Sequence, residues 1–497
     1  MPMKIEDAPI YDMLVNHHRR GAKPFHVPGH KQRADWQAHD ADSRYQRLLE
    51  LDVTELADTD DLHHPAGPIA EAERLAAHCF GAEETCLLVG GSTAGNLAMI
   101  LGTAAPGELL IVQRNVHRSV FHGLMLAGVQ AVLLEPETDD RSGLAVIPHA
   151  RRVQAAIDRY PEAKGVLLGS PNYYGMSGDL RQIAHLCHAA GIPLLVDEAH
   201  GPHYGQHSLF PESALQAGAD IVVQSAHKML SAMTMGAMLH MQGASVRREA
   251  IRQALRMVQS SSPSFPLLAS LDLARRQLHV EGAAAFASAL ETAAYIREAL
   301  PQTAFRLLEY VGERNESQRI LQDPLKIVLY DPRSKMSGFR IRDELADRGC
   351  VAEMADSRFA VLALGTGSRV TDAEQLIRAL SEMSGLSDAD KLASPEAKPV
   401  AMQEAEAPRE RRDSEIPPPV LLSRILPDTV RIPLEESAGK TAGEWIVPYP
   451  PGIPELYPGE RITERTVERL LAWRQRGASV QGAEDAGLQW IRVAATP

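Results

Sequence analysis

Cysteine is scarce in this chain. Its four cysteines, Cys79, Cys86, Cys187 and Cys350, are scattered along 497 residues. They lack the close pairing that zinc ligands show. Few cysteines without a disulfide framework are typical of a reducing compartment, so we expect a cytoplasmic protein.

Basic charge and long apolar runs are lacking too. The chain has 51 Lys and Arg against 64 Asp and Glu, a net charge of −13, whereas nucleic acids and anionic membranes attract basic surfaces. The N-terminus has no apolar run of signal-peptide length. Residues 87–107 carry no charge, but the polar residues at 90–93 and Asn96 interrupt them. This favours a buried strand, turn and helix over a membrane span. We expect neither nucleic acid nor membrane as a partner.

The chain is long enough for several domains, and 44% of its residues are hydrophobic. Residues 386–418 are rich in charge, alanine and proline and lack aromatic residues, as linkers do. The predicted order is an N-terminal arm at 1–30, a large domain at 31–265, a small α/β domain at 266–385, a linker at 386–418 and a C-terminal domain at 419–497.

Short apolar runs alternate with amphipathic stretches in the large domain, which predicts an α/β fold with a mostly parallel sheet. The predicted strands are 85–89, 108–112, 131–135, 165–169, 193–197 and 220–224, with helices at 94–104, 117–127, 150–160 and 179–190. For the small domain, the sequence predicts a long helical stretch at 267–299 and strands near 325–330 and 359–363. Ligands of such sheets bind at the carboxyl ends of the strands.

A glycine-rich turn, GGSTAGN at 90–96, follows the first predicted strand and precedes a helix. Backbone amides and the helix dipole favour an anion there, and Ser92 and Thr93 add hydroxyl donors. An ordinary helix cap is the alternative. The turn is not a Walker A motif, because no Gly-Lys-Ser/Thr follows.

Two further strand ends carry charged residues. Asp197, in PLLVDEAH, could accept a hydrogen bond from a protonated ring nitrogen or bind a metal with His200. The sequence offers no clear third metal ligand. The letters DEAH at 197–200 also suggest a helicase, but no phosphate-binding loop with a lysine supports that interpretation. Lys228 ends VVQSAHK, where burial of an amine is costly unless it has chemistry to do. A lysine with its stem on an apolar rim is the alternative.

An anion site, an acid and a lysine at the strand ends of one sheet suggest a single ligand. That ligand would carry a phosphate, a basic ring nitrogen and a carbonyl that an amine can attack. Pyridoxal 5′-phosphate (PLP) has all three. The sequence therefore predicts a PLP site.

Nine motifs together resemble the Orn/Lys/Arg decarboxylase family over residues from about 8 to 465. They are PFHVPGHKQ (24–32), DDLHHPAGPIAEAE (60–73), GGSTAGN (90–96), RNVHRS (114–119), SPNYYG (170–175), VDEAHGPH (196–203), QSAHK (224–228), MVQSSSPSFPLLASLD (257–272) and PYPPGIPELYPGE (448–460). The resemblance implies the fold type I, aspartate-aminotransferase-like architecture. It is similar to the short biosynthetic form, which lacks an N-terminal wing domain and serves polyamine biosynthesis.

The resemblance also implies residue roles. Lys228 would hold PLP as a Schiff base, Asp197 would pair with the pyridine nitrogen, and His117 would stack on the ring. The family's active site lies at a dimer interface, so a homodimer or higher homo-oligomer is expected. Further residues implied around the cofactor are Ser92, Thr93, Ala94, Ser225, His227 and His200, with Ser261 and Ser262 reaching the partner's cofactor.

The implied reaction is decarboxylation of a basic amino acid, with arginine first and lysine or ornithine next. Lys228 or His227 would return a proton to Cα and release the amine. A cationic side chain needs a carboxylate partner. The candidates for substrate binding are Glu455, Glu460 and His30, and no metal is expected.

The chain departs from the family's usual lysine motif at Met229, Ser231 and Met235. Methionine packs adaptably, so these changes favour a repacked pocket over a changed reaction. Two alternatives remain, namely a PLP enzyme with another substrate or reaction, such as an aminotransferase or another lyase, and a non-catalytic regulatory relative. Retention of Lys228, Asp197 and His117 together argues against the second.

Overall fold

The structure, a computed structural model, describes residues 4–33, 43–310, 320–389, 416–425, 428–448, 452–475 and 480–495. The helices are α1 Pro9–Arg19, α2 Ser43–Glu50, α3 Pro68–Phe80, α4 Gly91–Thr103, α5 Arg118–Ala127, α6 Ala150–Arg159, α7 Leu180–Ala189, α8 Ala226–Met229, α9 Arg248–Val258, α10 Phe265–Glu281, α11 Ala287–Ala299, α12 Gly338–Asp347, α13 Val370–Ala389 and α14 Glu464–Gln475. The strands are β1 Glu84–Leu88, β2 Leu109–Gln113, β3 Gln130–Leu134, β4 Val166–Gly169, β5 Met176–Ser177, β6 Leu194–Asp197, β7 Ile221–Gln224, β8 Ala237–Met241, β9 Arg306–Leu307, β10 Leu321–Gln322, β11 Lys326–Tyr330, β12 Met354–Ala355, β13 Ala360–Ala363, β14 Val420–Leu421, β15 Thr429–Pro433, β16 Val447–Pro448, β17 Val480–Gln481 and β18 Trp490–Ala494.

An eight-stranded sheet in the order β1-β8-β7-β6-β4-β2-β3-β14 forms the large domain. Strands β3, β2, β4, β6 and β7 are parallel, and β1, β8 and β14 pair antiparallel with their neighbours. The central strands are buried along their whole length, as expected when both faces of a parallel sheet are covered. All six predicted strands form. Sequence analysis missed β8, although all five of its residues are buried and all but His240 are apolar.

Helix α4 lies close against the sheet because of a glycine. A Cβ atom on Gly95 would stand 2.7 Å from Val223 Cγ1 in β7, so any larger residue would push the helix away. Gly91, the first residue of α4, has a φ of +69°, a conformation that favours glycine. The two glycines therefore bring the first turn of α4 beside the end of β7.

The small domain holds the sheet β12-β13-β11-β9. The predicted helical stretch at 267–299 is confirmed. It is two helices, α10 and α11, separated by a 3-10 turn that starts at Gly282, whose φ is +54°. The N-terminal arm packs on α10, where the backbone N–H of Ile10 donates to Asp272 Oδ2 at 2.9 Å.

Two segments near the predicted linker form regular elements. Strand β14, at the start of the predicted C-terminal domain, extends the edge of the large sheet by pairing with β3. Helix α13 continues to Ala389, which makes the first residues of the predicted linker helical. The rest of that linker, 390–415, lies outside the described residues. Within the described ranges, no helix is long and apolar enough to cross a membrane.

Candidate active site

Lys228 lies in the short helix α8, directly after β7. Its Nζ lies 2.9 Å from His200 Nε2 and 5.9 Å from the centre of the Tyr173 ring. Burial lowers the pKa of Lys228 to about 8, with Asp197 and Glu353 opposing this shift and Lys326 adding to it. At pH 7 an amine with this pKa is a free base in about a tenth of the molecules, far more than an ordinary lysine, and a nucleophile requires the free base.

Asp197 ends β6, beside the end of β7, and is 9% exposed. Its Oδ2 accepts from Asn96 Nδ2 at 2.7 Å, and its Oδ1 accepts from the backbone N–H of Ala199 at 3.1 Å. These donors stabilise the ionised carboxylate in a buried position. Asp197 can therefore hold a buried positive charge, such as a protonated ring nitrogen.

His117 belongs to the same hydrogen-bond chain. Asn96 Nδ2 donates to Ser119 Oγ at 2.8 Å, and Ser119 Oγ lies 2.8 Å from His117 Nδ1. The backbone N–H of Ser119 also donates to His117 Nδ1 at 3.2 Å. Nδ1 is therefore the acceptor nitrogen, and the proton of the neutral ring resides on Nε2. Burial lowers the pKa of His117 to about 4, so the ring is neutral at physiological pH.

The first turn of α4 and the end of β7 form a cradle of donor groups that suits an anion. Among the described residues, no side chain caps the first turn of α4. The backbone N–H groups of this turn can therefore donate hydrogen bonds to an anion. Ser225 Oγ is buried and has no hydrogen-bond partner in the described part of the chain. Ser92 is half-buried, Thr93 is exposed and Ala94 is buried within this turn. An unsatisfied buried hydroxyl next to free amides fits a phosphate.

A second side of the site comes from the small domain and was missed by sequence analysis. Lys326, the first residue of β11, is 3% exposed, and its Nζ lies 3.4 Å from His200 Nδ1. His200 thus stands between two lysine amines. A signal existed in the sequence, because KIVLY at 326–330 places a lysine at the start of an apolar strand just as VVQSAHK places one at the end.

Glu353 and His227 face the same region. Glu353 is exposed and precedes β12. Its charge raises the pKa of Lys228, Lys326 and His227 against the lowering that burial causes in each. His227 Nδ1 donates to the carbonyl oxygen of Gly236 at 3.0 Å, so Nε2 of the neutral ring is free to accept a proton.

The three predicted substrate ligands each have a partner elsewhere. Both carboxylate oxygens of Glu460 accept hydrogen bonds from Arg114, at 2.7 to 3.2 Å. This contact holds the C-terminal region against the large domain. Glu455 forms an ion pair with Arg469. His30 Nε2 lies 3.0 Å from Asp52 Oδ2. Their contact with substrate stays a prediction.

The predicted partner-facing serines and the altered lysine motif lie at different depths. Ser261 and Ser262 are exposed, and the neighbouring Ser260 accepts a hydrogen bond from His63 Nε2 through its carbonyl at 3.0 Å.

The three altered positions of the lysine motif also differ from one another in burial and contacts. Met229 is 1% exposed, Ser231 Oγ donates to Gln277 at 2.6 Å, and Met235 is exposed with a φ of +75°.

The residues of this site suit the phosphate, the ring nitrogen and the aldehyde of PLP. The cradle at α4 and Ser225 suits the phosphate, Asp197 suits the ring nitrogen, and the Lys228 amine suits the aldehyde. No group of His, Cys, Asp and Glu side chains suited to a metal ion occurs in the described residues. In particular, His200 faces Lys228 and Lys326 rather than forming a metal site with Asp197.

Two family models match the chain. The Orn/Lys/Arg decarboxylase major domain matches residues 8–338, and the C-terminal domain of the same family matches residues 422–482. The chain belongs to the Orn/Lys/Arg decarboxylase family. It is therefore an amino-acid decarboxylase, and the family resemblance found in the sequence is confirmed.

Individual relatives extend over nearly the whole chain. The uncharacterized protein YaaO of Bacillus subtilis is 39% identical, covering 96% of this chain and 96% of its own. An arginine decarboxylase of the same organism is 32% identical, covering 99% and 98%. The constitutive lysine decarboxylase of Escherichia coli has a similar structure, with a TM-score of 0.78 at 21% identity over 99% of this chain and 82% of that one. The fold type I architecture is confirmed.

Proposed function

We propose that this decarboxylase acts on a basic amino acid, with arginine as the first candidate, and uses PLP bound to Lys228. The observation that carries the proposal is the position of the Lys228 amine, 2.9 Å from His200 at the strand end next to Asp197. The full-length similarity to an arginine decarboxylase supports arginine.

PLP would supply an electron sink for the bond that breaks when CO2 leaves. The chain's own residues would do the rest. Asp197, held by Asn96, would keep a positive charge on the ring nitrogen. His117 would present a neutral ring fixed by Ser119. Lys228 would attack as the free amine and then hold a proton, and His227 Nε2 is the second group able to return that proton to Cα.

The preference for a cationic substrate is supported by Glu353. Its carboxylate is exposed, and its charge acts on Lys228, Lys326 and His227 together. An exposed carboxylate facing the reactive lysine suits a guanidinium or ammonium group. We place the substrate side chain toward Glu353.

We also propose a homodimer or higher homo-oligomer. The exposed Ser261 and Ser262 and the adjoining His63 form a polar surface available to a second chain. Size-exclusion chromatography with light scattering measures the oligomeric state directly, and a monomer would contradict this part of the proposal.

The test of function is a substrate comparison. The purified chain, loaded with PLP, is given arginine, lysine or ornithine separately, and CO2 and the product amine are measured. We expect the amine of one substrate, in amounts equal to the CO2. Release of a keto acid without CO2 would indicate transamination instead. In Lys228→Ala, we expect loss of the absorbance of lysine-bound PLP and a fall in turnover of about 10⁴-fold or more. Normal turnover by that variant would disprove the role of Lys228.

A further inference from the structure

His200 contacts two lysine amines with its two ring nitrogens. Nε2 lies 2.9 Å from Lys228 Nζ, and Nδ1 lies 3.4 Å from Lys326 Nζ. The ring is 6% exposed and packs edge-on against Tyr173, with 4.6 Å between ring centres. This fixed ring joins the reactive lysine of the large domain to a buried lysine of the small domain.

The hydrogen bonds of His200 restrict how many protons the ring and the two lysine amines can hold together. Burial and the charges of both lysines place the pKa of His200 well below its ordinary value, so the imidazole is neutral. A neutral imidazole has one N–H donor and one acceptor nitrogen, whereas an ammonium group can only donate. If both contacts are hydrogen bonds, the N–H of His200 must donate to a neutral amine. One of the two lysines is then a free base.

Burial lowers the pKa of Lys326, and the charges of Asp323 and Glu353 oppose that shift and favour its ammonium form. Asp323, three residues earlier, is fully buried, and its Oδ1 accepts the backbone N–H of Leu325 at 2.9 Å. Burial alone would raise the pKa of Asp323, but His203, at 3.0 Å from Oδ2, and the charge of Lys326 outweigh it and lower the pKa. The carboxylate is therefore charged, and it stabilises the ammonium form of Lys326.

Some of the groups that face Lys228 raise its pKa and others lower it. Asp197 and Glu353 favour its ammonium form, while burial and the positive charge of Lys326 favour the free base. His200 and Tyr173 lie on the same side, and the charge of Lys228 also acts on His117 and His227. Lys326 is thus the positive charge in this set that comes from the small domain.

We propose that Lys326 is a positioning residue that acts through His200: its ammonium group donates to Nδ1, which keeps the ring proton on Nε2, and this N–H donates to Lys228 as the free amine. The inference rests on the proposed function, because attack on a cofactor carbonyl requires that amine. No proton transfer is needed for this role, because the ammonium group of Lys326 and the neutral ring of His200 keep their protons throughout.

The test measures the titration of Lys228 in the full-length chain stripped of cofactor. Cyanate reacts only with free-base amines and is small enough to enter the site. The labelled fraction of Lys228 is followed by peptide mass spectrometry across a pH series. In Lys326→Met we expect the midpoint of Lys228 to rise by about one pH unit. Lys326→Gln gives a second variant with the same expectation, should the methionine variant fail to fold.

A conservative variant and a double-variant comparison separate this role from a structural one. Lys326→Arg keeps a permanent positive charge, so the midpoint of Lys228 should stay at its original value. In a His200→Phe background, the effect of Lys326→Met should fall to less than half. Lys164→Met, which removes a surface lysine near Glu108, is the matched control and should leave the midpoint unchanged.

Three outcomes would overturn the inference. They are an unchanged midpoint in both Lys326→Met and Lys326→Gln, a midpoint raised equally in Lys326→Arg, and a full effect of Lys326→Met in the His200→Phe background. Because labelling needs neither PLP nor substrate, failure here is distinguishable from failure of the proposed function. An enzyme that decarboxylates arginine with an unchanged Lys228 midpoint would keep the function and lose the inference.

Discussion

The two sides of Lys228 are built in different ways. On the large-domain side, Asp197, Asn96, Ser119 and His117 form one continuous hydrogen-bond chain in which the polar groups hold one another. On the small-domain side, Lys326 and Glu353 influence the lysine mainly through charge, and Lys326 does so across His200.

The difference indicates a division of labour. A continuous hydrogen-bond chain in a buried setting fixes geometry, because each lost bond would leave a further unpaired polar group. Charged groups contributed by the small domain can adjust the protonation of Lys228. They can also bind a substrate, because they are not all engaged in hydrogen bonds within the chain. We therefore expect changes on the large-domain side to cost more than changes on the small-domain side.

The largest effect is expected at Asp197. Asp197→Asn keeps the size of the side chain but removes the charge that would hold a protonated ring nitrogen, so kcat should fall by about 10³-fold. Steady-state CO2 release measures this loss. Glu198→Gln is the matched control, because burial raises the pKa of Glu198 to about 8 and its carboxyl is already largely neutral at pH 7. Equal losses in the two variants would contradict the assigned role.

His117 provides a pH test of the same side. Its folded-state pKa of about 4 lies below the ordinary 6.5 because of burial. Between these two pH values the unfolded chain binds more protons than the folded chain, so the free energy of unfolding decreases as pH falls. Replacing His117 by Asn should remove about 1 to 3 kcal/mol of that decrease, as measured by denaturant unfolding at pH 6.5 and pH 4.5. An unchanged pH dependence would contradict a buried neutral ring.

A smaller effect is expected from Glu353 on the small-domain side. Glu353→Gln removes the charge that we propose pairs with the substrate side chain, so the KM for arginine should rise by about 10-fold while kcat changes less. Steady-state kinetics with arginine separates the two parameters. Glu382→Gln, at an exposed acid of α13 paired with Arg348, is the control. A fall in kcat with an unchanged KM would remove Glu353 from the substrate site.

The smallest effect concerns Met235 in the altered lysine motif. A non-glycine residue at a φ of +75° is strained, and asparagine tolerates this conformation better than methionine. Since Met235 is 51% exposed, Met235→Asn loses little packing and should raise the free energy of unfolding by about 0.5 kcal/mol. Met233→Asn, at a similarly exposed neighbour, should bring no such gain. Equal changes in both variants would show that strain at residue 235 is not the cause.

The sequence by itself determined the parallel sheet and the candidate residues at its carboxyl edge. Buried strands such as β2, β6 and β7 are continuous apolar runs, so Asp197 and Lys228 are recognisable as polar residues placed where those runs end. Parallel strands carry their carboxyl ends to one edge, and this rule brings distant motifs together without any knowledge of side-chain contacts.

Only the tertiary structure decided what lies on the other side of Lys228. Lys326 reaches His200 from a separate sheet, and no local periodicity specifies how two sheets face each other. The same holds for Glu460, which the sequence offered as a substrate-binding candidate and which is paired with Arg114, 346 residues away. Strand β14 is too short for a sequence pattern, and its place at the sheet edge follows from pairing with β3. Contacts between distant segments depend on packing, which spacing along the chain does not encode.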